Sequence, residues 1–335
     1  MPARAMELRA EFAEKPPDSV LVVKPSSLGD VVHALAPLAA LRAHWPGTRV
    51  SWVVNPAWAP VIEGGGVADE VIPFPREQFR GFGGALRFLS WCRGLRGRRP
   101  DLVLDLQGLF RSYWIGRSAR PGAMVGLSDA REGARLLTPF TADVSKATHA
   151  VDRYFAAVRE LGVGIPERPR FPLPPGEPYP PAPCPFVVLH PFARGTGKSL
   201  GDQATLALIH ALDPLPVVLV GRGTSPAPLP ASVTDLVNRT TLAQLIGVLR
   251  QAAFTVSVDS GPMHLAAALS PRVLGLHGWS DPRRVGPYDR EAGVWKAGRL
   301  WKVGDYDGTT GDALPGPSDV QPIADWVRAR VSGGR

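Results

Sequence analysis

The chain has 335 residues, 44% hydrophobic and 20% charged, enough for two domains with separate cores and too apolar for a disordered or fibrous chain. Its formal charge of +8, with an isoelectric point near 9.9, points to anionic partners: phosphorylated substrates, nucleotide sugars or an acidic membrane surface. Its arginines are spread without an aromatic-interleaved basic repeat, so nucleic acid is not expected as a partner.

Two cysteines, Cys92 and Cys184, have neither redox nor metal-ligand spacing, which argues against a disulfide framework or a zinc site and suits a reducing cytoplasm. Residues 1–19 read as a polar N-terminal extension of mixed charge, without the apolar core of a signal peptide. No stretch is long enough to span a bilayer, so a cytoplasmic protein is expected.

Val20 to Val23 lacks polar alternation and predicts a strand buried on both faces. The turn Lys24-Pro-Ser-Ser-Leu-Gly-Asp30 follows, and Asp30 leads into a helix with Val31, Leu35, Leu38 and Leu41 at apolar spacing. A carboxylate at the carboxyl end of a first strand lies where an open α/β sheet places chemistry. It also lies where an ordinary helix N-cap sits, and this stretch alone leaves both readings open. Further strands are predicted over 48–54, 70–74 and 101–107, and helices over 58–62, 83–95, 108–117 and 150–161. The basic run Arg93 to Arg99 reads as a solvated helix end, and 124–147 as irregular. Strands alternating with helices predict a doubly wound parallel sheet, in the α/β class.

Ten prolines between 166 and 185 cannot form a helix interior or a central strand, and mark a linker between a domain over 20–165 and a second over 186–317. The second domain repeats the alternation: strands over 186–190, 216–220, 254–259 and 272–276, helices over 202–212, 241–251 and 262–269. A last helix within 318–335 leaves open whether it packs back on the first domain. Two Rossmann-like halves of this kind predict a bilobed protein whose ligands sit in a cleft at the carboxyl ends of the strands.

Val256-Ser-Val-Asp-Ser-Gly-Pro-Met-His264 runs from an apolar strand through a Ser-Gly turn to a helix opened by Pro262. The amides around Gly261 and Met263 would form an anion site suited to a diphosphate, with His264 in the first turn. A Ser-capped helix with a core histidine is the competing reading. Lys198 follows a strand in Phe192-Ala-Arg-Gly-Thr-Gly-Lys-Ser199, whose glycines do not fit a P-loop, and reads as a lysine reaching a phosphate. A surface lysine is its alternative. Asp305-Tyr-Asp307 has the D-x-D form of metal-dependent sugar transferases but follows no apolar strand, so no metal is assigned to it. No G-x-G-x-x-G follows a strand, and neither G-x-S-x-G nor H-E-x-x-H occurs, leaving dehydrogenase, serine hydrolase and zinc protease unsupported.

Lys24 to His33 resembles the opening signature of glycosyltransferase family 9, the lipopolysaccharide heptosyltransferases. Asp105-Leu-Gln-Gly-Leu109, His149-Ala-Val-Asp-Arg153, Ser257 to His264 and Gly278-Trp-Ser-Asp-Pro282 are similar to further family segments in the same order, so the likeness covers about residues 20 to 290. It implies a GT-B fold and metal-independent, inverting transfer of a heptose from ADP-heptose to a lipopolysaccharide core sugar, without a cofactor. Asp30 would be the general base, although a helix N-terminus lowers its basicity. Lys198, Asp259, Ser260, Gly261 and His264 would bind the donor. Lys24, Ser26, Ser27, Gly29, Arg111, Arg131 and Arg153 would face an anionic glycolipid acceptor, which leaves peripheral membrane contact open.

Two departures bear on the donor. Leu200 stands where family members usually have tryptophan, and no carboxylate follows Gly221 until Asp235, although the family tends to place a ribose-binding acid there. A different nucleotide-sugar donor, a nucleotide-sugar 2-epimerase and a non-catalytic bilobed binding protein are the alternatives.

Overall fold

A computed structural model describes residues 3–145, 147–178 and 185–333. The chain divides into two compact units, Met1–Pro174 and Pro175–Arg335. In the first unit the order is α1 (Ala3–Glu14), β1 (Ser19–Val23), α2 (Leu28–His44), β2 (Arg49–Val54), β3 (Glu70–Pro73), α3 (Gly84–Gly94), β4 (Leu102–Asp105), α4 (Phe110–Ser118), β5 (Ala123–Leu127), α5 (Ala134–Leu137), β6 (Phe140–Ala142) and α6 (Ala150–Arg159). The six strands form one parallel sheet in the order β3-β2-β1-β4-β5-β6. The order reverses between β1 and β4, where Val23 lies opposite Asp105. On one face α3 packs against α4 and α4 against α5, and α2 packs against α6. On the first face Leu21 and Val23 share a core with Cys92, Leu95, Ile115 and Ala119.

The N-terminal extension carries the helix α1. Leu8 and Phe12 of α1 are buried, and the Phe12 ring meets Trp45 edge-on at 5.8 Å. Residues 124–147, expected to be irregular, hold β5 and β6, whose few residues and single glycine give too little pattern to read as strands.

The second unit continues with β7 (Val187–His190), α7 (Asp202–Ala211), β8 (Val217–Leu219), β9 (Val233–Asp235), α8 (Leu242–Gln251), β10 (Phe254–Val258), α9 (Gly261–Leu269), β11 (Val273–His277), α10 (Pro282–Val285), β12 (Gly293–Lys296), β13 (Arg299–Lys302) and α11 (Val320–Ser332). Its sheet runs β13-β12-β11-β10-β7-β8-β9, parallel except for the β12–β13 pair. Here the order reverses between β7 and β10.

The last helix packs within the second unit. The stripe Val320, Ile323, Ala324 and Val327 joins the core of the second unit with Leu208 and Ile209 of α7, and Arg328 donates to the Ala211 carbonyl. Helical spacing shows that such a stripe needs a partner, but not which helix supplies it.

The proline-rich stretch is divided between the units. A Cβ on Gly65 would sit 2.4 Å from the Pro172 carbonyl oxygen, so the chain at 172 lies tight against the first unit. Glu177 N donates to the Ala243 carbonyl (3.0 Å) in the second. Residues 179–184, Cys184 among them, lie outside the described residues. No helix of the described residues is long and apolar enough to cross a membrane.

Candidate active site

In the first unit the candidate residues gather where the strand order reverses, the position at which open α/β sheets bind ligands. β1 ends at Val23, and Lys24 to Ser27, with a cis Ser26–Ser27 peptide, lead into α2. Ser27 is the N-cap and Asp30 the third helical residue, so its carboxylate reaches back to the cap. Asp30 Oδ2 accepts from Ser27 N (3.0 Å) and Ser27 Oγ (2.9 Å). Its other oxygen accepts from the Tyr154 hydroxyl (2.9 Å) and lies 3.6 Å from Lys24 Nζ. The Lys24 ammonium also lies 5.0 Å from the centre of the Tyr154 ring. Gly29 is buried in the first turn of the helix, while Asp30 itself is 35% exposed.

Asp30 is thus both a helix-capping group and an accessible carboxylate. Burial opposes its ionisation, but Lys24, the Ser27 N–H and the positive field of His33 outweigh it and hold the carboxyl well below its usual range. Lys24, only 3% exposed, is pushed down by burial and partly restored by Asp30. Tyr154 is pushed up by burial and by the Asp30 charge, so it remains a donor.

A second carboxylate stands beside this group at the end of β4. Asp105 is 1% exposed and accepts from Gln107 N (3.0 Å), Gly108 N (3.1 Å) and Ser112 Oγ (2.9 Å). Burial nevertheless pushes it up to about 6. Gln107 Oε1 in turn accepts from Ser26 N (3.3 Å). A pocket of about 260 Å³ opens at this end of the sheet, lined in part by Ser26, Asn55, Arg76, Gln107 and Arg111.

The three candidate arginines are not equivalent. Arg153 is half-buried, pairs with Asp129 at 2.5 Å, and acts on Lys24 through its field. Its Nε is buried without a hydrogen-bond partner among the described residues. Arg111 and Arg131 are exposed, and Arg131 N donates to the Gly108 carbonyl (2.8 Å). Neither arginine contacts Asp30 in the way Lys24 and Tyr154 do.

In the second unit the residues also gather at the reversal point. His190 ends β7 and presents Nδ1 to Ser257 Oγ (3.0 Å) and Ser260 Oγ (3.2 Å). Both hydroxyls lie within reach of the Val258 carbonyl (2.9 and 3.4 Å), which favours Nδ1–H as the donor to them. Burial lowers His190 to about 3, so the ring stays neutral. Ser260 occupies the N-cap position of α9 without a side-chain capping bond, and Gly261 is the first helical residue.

The amides are arranged differently from the expected anion site. Met263 N and His264 N both donate to the Ser260 carbonyl (3.0 and 3.4 Å), and Pro262 has no N–H. The turn therefore consumes the Met263 amide and leaves the Gly261 amide at its mouth. Asp259 Oδ1 lies 3.6 Å from His264 Nε2, which joins two of the expected donor-binding residues.

Lys198, in the loop after β7, places its ammonium 4.2 Å from the centre of the Trp279 ring, itself 60% exposed. The turn carrying Trp279 is held from below. Lys296, 3% exposed at the end of β12, donates to the carbonyls of Gly278 and Ser280 on either side of the tryptophan. Ser280 Oγ is also 3.0 Å from His277 Nδ1, and burial lowers His277 to about 4.

Sequence reasoning did not select Tyr154, Asp105, His190, His277, Trp279 or Lys296. The signal for Lys296 was a lone cation ending the apolar run Gly293-Val-Trp-Lys296. For Tyr154 there was none, because its position on α6 reads as core.

Asp235 sits on β9 opposite Leu219 of β8, so a carboxylate does stand near the end of β8. Its oxygens accept from Val237 N (3.0 Å) and Ser225 Oγ (2.9 Å). Asp307 of the D-x-D segment accepts from Thr309 N (2.7 Å) and Thr309 Oγ1 (2.5 Å). Among the described residues, no group of three or more His, Cys, Asp or Glu side chains is placed to hold a metal ion.

Comparison with known proteins gives the family and the fold. The family model described as glycosyltransferase family 9 (heptosyltransferase) matches residues 88–174 and 224–307. Lipopolysaccharide heptosyltransferase 1 of Pseudomonas aeruginosa is 31% identical over 304 residues, covering 81% of each chain. Lipopolysaccharide heptosyltransferase 1 of Escherichia coli K12 is 27% identical over 309 residues, covering 84% of this chain and 94% of the relative. Among solved structures, E. coli heptosyltransferase WaaC with ADP has a TM-score of 0.75 at 24% identity, covering 93% of this chain and 99% of that one. E. coli ADP-heptose lps heptosyltransferase II also reaches 0.75, at 20% identity, covering 94% and 99%. The chain belongs to glycosyltransferase family 9, the heptosyltransferase family, and is a glycosyltransferase of the GT-B fold.

Proposed function

We propose that this enzyme moves a heptose from ADP-heptose to an inner-core sugar of lipopolysaccharide, by a single inverting displacement that needs no metal ion. The names of the relatives support the reaction class, and a solved structure of E. coli heptosyltransferase WaaC with ADP-2-deoxy-2-fluoro heptose supports the donor. The observation that carries the mechanism is the Asp30 carboxylate, ionised and partly exposed, with Tyr154, Ser27 and Lys24 fixing its oxygens.

In the displacement the acceptor oxygen forms a bond to the anomeric carbon as the bond from that carbon to the diphosphate breaks. The acceptor proton passes to Asp30, and ADP leaves with the electron pair. A base placed in this way is worth about 10²–10⁴ in rate. The field of Lys24 makes Asp30 a weak base in the free enzyme. An anionic acceptor drawing on Lys24 and Arg153 relieves part of that field and restores basicity when substrate is present.

Charge growing on the leaving diphosphate is met by Lys198, the Ser260 hydroxyl, the Gly261 amide and His264. Asp259 serves by holding His264. Neutral His190 orients Ser260. On this reading the enzyme works in the cytoplasm and meets its glycolipid acceptor at the inner face of the membrane.

The test is turnover of ADP-heptose with a heptose-free lipopolysaccharide core acceptor in the presence of a chelator, beside calorimetry of ADP, GDP and UDP. Release of ADP with a β-to-α or α-to-β change at the anomeric carbon, and preference for ADP, is the expected result. Preference for UDP or GDP overturns the donor, and retained configuration overturns the single displacement.

A further inference from the structure

The face of the first unit formed by α3, α4 and α5 carries apolar side chains that stand in solvent. Phe82, just before α3, is fully exposed, and Leu86 is 72% exposed. Phe110 and Trp114 of α4 stack on each other with ring centres 6.4 Å apart, both substantially exposed, and Leu136 of α5 is 89% exposed. α3 packs against α4, and α4 against α5, so these side chains belong to one layer of helices. Exposed apolar groups collected in this way mark an interaction surface.

The charge of the same segment indicates the partner. Residues 76–137 contain twelve arginines against five acidic residues, a net +7 of the chain's +8. Of the five acids, Glu77 pairs with Arg80, Asp129 pairs with Arg153, Asp101 and Asp105 accept hydrogen bonds from the chain itself, and Glu132 is exposed. Arg93, Arg117 and Arg135 are exposed beside the apolar groups. Aromatic and aliphatic wedges among arginines suit the boundary between acyl chains and anionic headgroups. Phe110 and Arg111 also line the 260 Å³ pocket next to Ser26 and Gln107, so the surface is continuous with the candidate acceptor side of the site.

We propose that the solvent face of α3, α4 and α5 docks on an anionic bilayer, with Phe82 and Leu86 entering the interface and the arginines meeting lipid phosphates. The benefit to catalysis rests on the lipid-linked acceptor proposed above; the docking itself is measured without substrate. The experiment is co-sedimentation of the full chain with phosphatidylethanolamine vesicles containing phosphatidylglycerol, against vesicles of phosphatidylcholine alone.

Binding is expected to the anionic vesicles only, to weaken steeply as salt rises above physiological strength, and to fall at least about tenfold in the Phe82→Ser/Leu86→Ser double variant. Turnover of a deacylated, soluble acceptor by that variant is expected to match the unaltered enzyme, which shows that it folds. Equal binding to both vesicle types, or undiminished binding by the variant, overturns the proposal. So does self-association of the unaltered chain that the variant abolishes while no vesicle binding occurs. If vesicle binding is as expected and the unaltered enzyme does not turn over the soluble acceptor, the reaction assignment fails and the docking surface stands.

Discussion

The Tyr154 hydroxyl donates to Asp30 Oδ1 at 2.9 Å, joining α6 to the first turn of α2 across 124 positions of sequence. Tyr154 therefore fixes the candidate base and also stabilises its charged form. Tyr154→Phe is expected to lower kcat about tenfold with little change in donor KM. Because the lost bond favours the carboxylate, the acid limb of kcat moves to higher pH in the variant. A pH–rate profile checks this, and an unmoved acid limb with reduced kcat assigns Tyr154 to packing alone.

Asp30→Asn is expected to lower transfer by about 10²–10⁴ while ADP affinity, measured by calorimetry, is retained. The variant also leaves the buried Lys24 ammonium without its carboxylate, so a lower Tm accompanies the loss of rate. Since the native Asp30 is held below its ordinary range, its contribution to stability is present above that range and disappears only in strong acid. Turnover within threefold of the unaltered enzyme would sink the assignment of the base.

Lys296 braces the Trp279 turn through two carbonyls from a buried position. Lys296→Met keeps the length of the stem and removes both bonds, leaving the Gly278 and Ser280 carbonyls to find water. The expected result is an ADP Kd raised about tenfold and a modest fall in Tm, with acceptor binding unchanged. Trp279→Ala removes the ring under Lys198 without disturbing the brace, and is expected to weaken ADP binding with Tm unchanged. Calorimetry and thermal melts distinguish the two.

Asp105 offers a pH test of the first unit. Its carboxyl titrates at about 6 in the folded chain against an ordinary 3.8. Between those values the native state holds a proton that the unfolded chain has released. The stability this residue contributes is therefore full below about pH 4 and declines as pH rises through about 6. Asp105→Asn cannot undergo that decline. Relative to the unaltered enzyme, the variant should gain on the order of 3 kcal/mol between pH 4 and pH 7, read from denaturant midpoints at each pH. A gap that stays constant with pH would contradict the buried-carboxyl account.

The sequence by itself determined the α/β alternation, the two halves, and the two turns that matter most. Apolar runs ending in Lys24-to-Asp30 and in Asp259-to-His264 are local patterns, and strand, turn and helix start all lie within about a dozen residues. That is why Asp30, Ser260 and Gly261 could be named as candidates without a fold, with Asp30 reading equally as a helix N-cap on the local pattern alone. Short strands such as β6 and β9, three residues each, fell below what periodicity resolves, because their partners in the sheet define them more than their own side chains do.

Only tertiary structure decided what surrounds those turns. Sheet order brings β4 beside β1 and β10 beside β7, and so sets Asp105 near Lys24 and Ser257 against His190. Long-range packing turned Tyr154 from a core residue into the partner of Asp30, and Lys296 from a strand end into the brace of Trp279. It also gave the apolar stripe of α11 to α7 in its own unit. The protonation states follow the same division: a carboxylate at a helix start is legible from sequence, but its charge at a given pH depends on burial and on neighbours far along the chain. Asp30 in the first turn of α2 and Asp105 at the end of β4, both at the same reversal point, are consequently shifted in opposite directions.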